Sequence, residues 1–431
     1  MPYLNMKAII EPGSIGGTLK PPPSKSMTQR AYAAALLHKG KTIIHNAGAS
    51  DDEKAALQVI QQLGAKIIQQ TADAIEILSN GVYPLSQSIN CGESGLSARL
   101  FTPIAAISGQ EISIVGKGSL LRRPMDGIKD VLSALNVTLP GFNGYLPFTL
   151  QGPLKARSIK VDASDSSQFL SGLLFALSAC VTEQVNIEVT GLKSRPYIDL
   201  TLDVLAQSGR TITHNNYKEF YINPALFTYN ETNEINIETD WSSAAYFLVA
   251  GAIAGEITIE NVLTTSKQAD KAILEVLRIA GAEIVNDNDN ITVKSSNLVA
   301  FEFDATHCPD LFPVVAILAS CCYGESCIRG VHRLFHKESN RVVSITEMLQ
   351  DFAVPWSVED DTLFITGVPH LQGTVIDCYM DHRIVMAASI GALRANGRVD
   401  IIHAESVNKS YPGFFKDFIL YKAKCIFIDD L

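Results

Sequence analysis

Six times along this chain a small cluster of polar or charged residues opens an Ala/Leu-rich run, and a glycine or polar turn then leads into a short β-branched strand. The openings are Ser24-Lys25-Ser26, Gly92-Glu93-Ser94-Gly95, Ser166-Ser167-Gln168, Trp241-Ser242-Ser243, Cys308-Pro309-Asp310 and Met380-Asp381-His382-Arg383. They recur roughly every 70 residues, a period that marks repeated architecture rather than one irregular domain. Repetition constrains function as well as fold. Six helix N-termini each carry unpaired N–H groups and the positive end of a dipole, and where such ends converge they make an anion site.

The runs differ from surface helices. Residues Phe169 to Ala179 are apolar nearly all round, as suits a helix buried among other helices. The strand candidates Lys41 to Ile44, Glu111 to Val115, Val185 to Val189, Glu256 to Ile259, Ser326 to Ile328 and Arg398 to Ile402 are rich in β-branched residues. A second helix often comes next, as from Tyr197 to Leu205, where Ile198, Leu202 and Leu205 share one face. These patterns predict an α/β protein whose core is a set of parallel, buried helices covered by sheet, six units in two groups of three. A chain of 431 residues, 47% hydrophobic and 19% charged, suffices for two well-buried domains. Chain crossings are expected at the polar stretch Tyr229 to Asp240 and at the Gly/Pro-rich stretch Gly16 to Pro23. The expected domains are therefore residues 20–238, and residues 1–19 together with 239–431.

A net charge of −10 argues against a broad nucleic-acid surface. Yet Lys25, Arg30, Arg99, Arg122, Arg123, Lys193, Arg195, Lys337, Arg341, Arg383 and Lys409 all lie in or just after the openings. A basic pocket in an acidic protein suits a small, highly charged anion. The first residues lack a basic segment followed by an apolar one, and no long stretch is free of polar breaks, so neither export nor membrane spanning is expected. The eight cysteines form no CxxC pair and no zinc-type spacing; they read as buried free thiols of a reducing, cytoplasmic environment, without a metal.

Lys25 and Ser26 open a helix with Arg30 about one turn on, and a lysine there opposes the dipole unless an anion compensates. Gly92 to Arg99 is a small-residue loop that lets backbone N–H groups approach a ligand, Pro124 pins the direction of Arg123, and Ser166-Ser167-Gln168 offers three uncharged hydrogen-bonders. In His336 to Arg341, Lys337 and Arg341 share a face if helical, with Glu338 beside them. Asp310, Asp381 and His382 open neighbouring helices. Each cluster alone also fits a cap, turn or surface ion pair.

Taken in order, Ser24-Lys25-Ser26 with Arg30, Arg123-Pro124, Ser166-Ser167-Gln168, Ser194 to Asp199, Pro309-Asp310, Lys337 to Arg341, Asp381-His382-Arg383 and Lys409 to Pro412 resemble the motifs of the enolpyruvyl transferases, specifically the EPSP synthase family. The resemblance spans essentially the whole chain. It implies a two-domain, inside-out α/β barrel of six βαβαββ repeats, three per domain, with the active site in the cleft between domains. The implied reaction moves the enolpyruvyl group of phosphoenolpyruvate to the 5-hydroxyl of shikimate 3-phosphate in aromatic amino-acid biosynthesis, with no metal or organic cofactor and a monomeric enzyme. Carried over by motif, shikimate 3-phosphate meets Lys25, Ser26, Arg30, Ser166, Ser167, Ser194, Tyr197, Asp310 and Lys337. Phosphoenolpyruvate meets Lys25, Gly95, Arg123, Gln168, Arg341, Arg383 and Lys409. Asp310 faces the hydroxyl with Lys25 assisting, Glu338 donates a proton at the methylene, and His382 orients or assists.

The second loop departs from the family pattern: Glu93 stands where Asn is usual and Leu96 where Thr is usual. Glu93 adds negative charge beside the expected phosphoenolpyruvate site, which is expected to weaken binding of that substrate and of glyphosate. The lead-in His332 to His336 departs as well. Two rival readings are a catalytically silent anion-binding relative, which Glu93 favours, and the sister transferase acting on UDP-N-acetylglucosamine, which the Lys337 to Arg341 and Ser194 to Asp199 motifs disfavour.

Overall fold

A computed structural model describes residues 6–125, 127–164, 166–287 and 289–429. The chain divides into two compact units, Pro23–Glu238 and Met1–Pro22 with Thr239–Leu431. The first is thus an insertion within the second. Ser24 N–H donates to the Glu238 carbonyl (2.8 Å) in the inserted unit, and Asp240 N–H to the Pro22 carbonyl (2.8 Å) in the outer one. Among the described residues each unit holds three mutually packed helices and three sheets.

In the inserted unit the packed helices are Lys25–Leu37, Gly95–Ala105 and Ser167–Cys180. Every residue of Gly95–Ala105 is buried. In Ser167–Cys180, Leu170, Leu173, Leu174 and Phe175 lie on successive faces and are fully buried, each contributing about 1.5–3 kcal/mol. Gly172 permits this closeness: a Cβ there would lie 2.6 Å from the Leu100 carbonyl oxygen and 2.8 Å from that of Arg99. In the outer unit, Trp241–Ala254, Phe312–Ser320 and His382–Ala392 pack together in the same way.

The sheets share one order of pairing. In the inserted unit, Thr232–Asn236 runs parallel to Lys39–His45, which pairs antiparallel with Ala74–Asn80, and that strand with Lys66–Gln70. Ile159–Asp162, Val185–Thr190, Glu219–Ile222 and Thr213–Asn215 repeat the order, and Ser88–Asn90, Glu111–Val115 and Phe148–Gln151 repeat its first three places. In the outer unit Ile15–Leu19 joins Gly255–Ile259, Asn290–Lys294 and Glu283–Asp287. Glu302–Asp304 begins the sheet of Glu325–Arg329, Thr362–Thr366 and Trp356–Glu359. Val375–Asp377 begins that of Val399–Ile402, Met6–Glu11 and Lys424–Asp429. Strands alternate as one-sided sheets must: Val185, Ile187 and Val189 are buried while Glu188 faces out.

All six strand candidates are present. The expected barrel is not: among the described residues there are six separate open sheets and no closed barrel. Gly16 and Gly17 also lie inside strand Ile15–Leu19 rather than in a hinge. Gly17 is needed for packing, because a Cβ there would come within 2.5 Å of the Tyr421 ring. The cysteines are all free, but only Cys91, Cys308, Cys322 and Cys378 are buried; the other four are partly exposed. Among the described residues no helix is long and apolar enough to cross a membrane.

Candidate active site

In the inserted unit each packed helix opens on a serine. Ser24 Oγ accepts from Met27 N–H (3.4 Å), Ser94 Oγ from Ser97 N–H (3.2 Å) and Ser166 Oγ from Gln168 N–H (3.2 Å). A neutral cap satisfies one orphan donor and leaves the dipole uncompensated. One turn in, the buried Arg30 is fixed by three bonds: Nε to Thr201 Oγ1 (2.8 Å), Nη1 to the Ser26 carbonyl (2.8 Å) and Nη2 to the Tyr197 carbonyl (3.3 Å). Burial lowers its guanidinium to about 10, opposed by Tyr197, so it stays charged at neutral pH. Thr201 also pairs with Ser171 Oγ (2.8 Å), which brings helix Ser167–Cys180 alongside. Ser194, at φ 55, opens helix Arg195–Gln207 and accepts Tyr197 N–H at its carbonyl (3.1 Å). Arg123 lies directly over Gly95, where a Cβ would sit 2.5 Å from Nη1.

Sequence reasoning passed over three partners here. Lys25 Nζ bonds Asp52 Oδ2 at 2.9 Å, so a carboxylate of this chain meets the ammonium for which an external anion was expected. Asp52 lies in the first turn of helix Asp51–Gln62, where acidic residues are ordinary and carry no signal. Gln29 Oε1 accepts from both Ser94 Oγ and Ser97 Oγ (2.9 Å each), tying two helix openings together. Thr201 is the third, joining Arg30 to Ser171.

The outer unit uses carboxylates where the inserted unit uses serines. Asp240 caps Trp241–Ala254 by accepting Ser243 N–H (2.7 Å), and Asp381 caps His382–Ala392 by accepting Arg383 N–H (3.0 Å). Asp310 lies in a 3-10 turn, Pro309–Leu311, that leads into Phe312–Ser320. Its Oδ1 meets Arg341 Nη1 (2.8 Å) and Lys337 Nζ (3.4 Å), and its Oδ2 meets Arg383 Nη2 (2.8 Å). Arg341, with no exposed side-chain surface, also bonds Glu338 Oε2 (2.6 Å) and Asp381 Oδ2 (2.8 Å), and Ser339 Oγ donates to Asp381 (3.1 Å).

Electrostatics follow from this packing. Desolvation raises the Asp310 carboxyl, but Arg383, Lys337 and Arg341 outweigh it and hold it well below the usual carboxylate range. For Lys337 desolvation wins over Asp310 and pushes the ammonium down to about 8. Desolvation disfavours the Arg341 charge, yet Asp381, Glu338 and Asp310 together raise its pKa above the ordinary value. Sequence reading also missed Asp270, buried and bonded by the Ser242 hydroxyl; desolvation, partly offset by Arg383, lifts it to about 7.

The structure thus brings Asp310, Lys337, Glu338, Arg341 and Arg383 together, with His382 Nδ1 3.8 Å from Asp381 Oδ1. Lys337 and Arg341 do not share a helical face. Helix Arg341–Asp351 begins only at Arg341, and Lys337 and Glu338 lie in the turn before it, held by their bonds to Asp310 and Arg341. Lys409 is largely buried at the end of the turn Ala404–Lys409, which packs on His382–Ala392. Among the described residues no group of three or more His, Cys, Asp or Glu is placed to hold a metal ion.

Residues 9–418 match the family model described as EPSP synthase (3-phosphoshikimate 1-carboxyvinyltransferase). A 3-phosphoshikimate 1-carboxyvinyltransferase of Clostridium kluyveri is 36% identical over 411 residues, covering 95% of this chain and 96% of the relative. One from Methanocorpusculum labreanum is 32% identical over 415 residues, covering 96% and 97%. In fold, the chain is similar to an EPSP synthase from Acinetobacter baumannii, with a TM-score of 0.83 at 23% identity over 98% of this chain and 100% of that one. The enolpyruvyl transferase NikO from Streptomyces tendae gives 0.79 at 16% identity over the full length of both. With the cation-bound Asp310 in the family's motif order and these relatives aligned nearly end to end, the chain belongs to the EPSP synthase family.

Proposed function

We propose that this chain transfers the enolpyruvyl group of phosphoenolpyruvate to the 5-hydroxyl of shikimate 3-phosphate, releasing phosphate, as a 3-phosphoshikimate 1-carboxyvinyltransferase of aromatic amino-acid biosynthesis. The observation that carries the reading is the Asp310 carboxylate, kept ionised by Lys337, Arg341 and Arg383 in a chain that aligns with EPSP synthases from residue 9 to 418. An ionised carboxylate accepts a proton, and three cations around it favour anionic substrates.

In this reading Lys25, Ser26, Arg30, Ser166, Ser167, Ser194, Tyr197, Asp310 and Lys337 bind shikimate 3-phosphate. Lys25, Gly95, Arg123, Gln168, Arg341, Arg383 and Lys409 bind phosphoenolpyruvate. The two substrates repel one another strongly, and these cations offset that repulsion. The hydroxyl oxygen adds to the C2 carbon of phosphoenolpyruvate while its proton passes to Asp310, assisted by Lys25. The methylene takes a proton from Glu338, with His382 assisting. The tetrahedral adduct then returns a methyl proton to the Glu338 carboxylate and expels phosphate, which leaves with the proton held by Asp310, restoring the double bond and both carboxyl groups. Arg341 divides its charge among Glu338, Asp310 and Asp381, so Glu338 does not hold that cation alone.

The recurring strand order supports reading the six sheets, with their helices, as six βαβαββ units, three per domain, with the buried helices parallel. One chain supplies both clusters, so a monomer is sufficient, and the unpaired thiols suit the cytoplasm. The test is phosphate release from phosphoenolpyruvate by the purified protein. Release that depends on shikimate 3-phosphate is expected; release only with UDP-N-acetylglucosamine, or none from folded protein, overturns the assignment.

A further inference from the structure

The departure at Glu93 has a structural partner. Glu93 Oε2 accepts from Ser119 N–H (3.3 Å) and Ser119 Oγ (3.4 Å). Ser119 is the second residue of the 3-10 turn Gly118–Arg122, so its N–H is one of the donors that a helical turn leaves without an internal acceptor. Gly118, at φ 56, lies under the same carboxylate, and a Cβ there would fall 2.4–2.6 Å from its atoms. The carboxylate is seated in a place shaped by a missing side chain.

That turn delivers Arg123. Arg123 N–H closes on the Leu120 carbonyl (3.2 Å), and its guanidinium covers Gly95, two residues beyond Glu93. Two further ties join the same loops: Lys117 N–H donates to the Gly92 carbonyl (2.8 Å), and Arg99 spans the carbonyls of Gly95 (3.2 Å) and Pro124 (2.6 Å). Glu93 therefore braces one loop against the other at the end from which Arg123 is aimed.

We propose that Glu93 is a positioning residue for phosphoenolpyruvate binding: it caps the Gly118–Arg122 turn and thereby holds Arg123 over Gly95. The inference rests on the reading above in which Arg123 and Gly95 contact that substrate. It reverses the expectation from sequence. A carboxylate bonded to two donors of Ser119 strengthens the anion site through Arg123 instead of weakening it through its charge.

Steady-state kinetics of four variants test this. Glu93→Ala raises KM for phosphoenolpyruvate about tenfold, with kcat and KM for shikimate 3-phosphate within about twofold of the parent. Glu93→Gln keeps an acceptor without the charge and returns KM for phosphoenolpyruvate to within about twofold of the parent. Gly118→Ala displaces the carboxylate from the other side and reproduces the alanine effect, which gives an independent reading if Glu93→Ala does not fold. Unchanged or lower KM for phosphoenolpyruvate in Glu93→Ala and Gly118→Ala overturns the proposal, as does equal impairment of Glu93→Ala and Glu93→Gln. Arg123→Gln separates the two levels. If it leaves KM for phosphoenolpyruvate unchanged, the substrate assignment itself falls; if it raises KM while Glu93→Ala does not, only the role of Glu93 falls.

Discussion

Asp310 does two jobs, and Asp310→Asn removes both. Its charge keeps Lys337, Arg341 and Arg383 from repelling one another, and in the proposed reaction it takes the hydroxyl proton. Asparagine retains the shape, so kcat is expected to fall by about two to four orders of magnitude in a phosphate-release assay. The urea midpoint falls too. Asp310 is about a fifth exposed, so solvent screening trims that loss below the ~3–5 kcal/mol seen when a fully buried pair is broken. Lys337 gives a prediction in pH. Its ammonium, lowered to about 8, is charged below that pH and neutral above it, so kcat/KM for shikimate 3-phosphate should fall as pH rises through about 8. Lys337→Arg keeps its charge throughout and should move that alkaline limb upward in a pH–rate profile. Neither property was legible in sequence. Asp310 and Lys337 stand 27 positions apart, as do Lys25 and Asp52, and no local periodicity pairs them.

Helices and strands were more readable, because their signals are local. All-round apolar runs such as Phe169 to Ala179 have no face to offer water, so they predict burial whatever the topology. Period-two strands such as Val185–Thr190 likewise state which face is covered. Spacing alone leaves open whether Lys337 to Arg341 is helical, because bonds to Asp310 and Arg341, not local periodicity, set the shape of the turn that carries Lys337 and Glu338. Closure was illegible for another reason: alternation reveals that a sheet has an inside without revealing whether its edges meet. Packing at Gly172 carries a prediction of its own. Gly172→Ala forces a methyl against the carbonyls of Arg99 and Leu100, so helix Gly95–Ala105 must shift, and the urea midpoint should drop by an equivalent of about 1–3 kcal/mol. Because that helix begins beside Arg123, KM for phosphoenolpyruvate should rise in the same variant.

The two units differ in how they are closed by sequence. Residues 23–238 contain every strand of their three sheets, so this segment expressed alone should unfold cooperatively in urea and retain its far-UV circular dichroism. Residues 239–431 alone lack Ile15–Leu19 and Met6–Glu11, one strand from each of two sheets, and should be soluble only when those strands are restored. The pairing of Met6–Glu11 and Ile15–Leu19 with partners hundreds of residues away leaves no trace in local composition. That pairing has a consequence during synthesis. As the chain leaves the ribosome, Met6–Glu11 and Ile15–Leu19 emerge before the strands they pair with. The inserted unit can be completed behind them while Met6–Glu11 still waits for Val399–Ile402 and Lys424–Asp429. Met6–Glu11 is thus among the last strands to be paired, whereas Ile15–Leu19 meets Gly255–Ile259 soon after the inserted unit is complete, so one unpaired strand edge persists until the final sheet assembles.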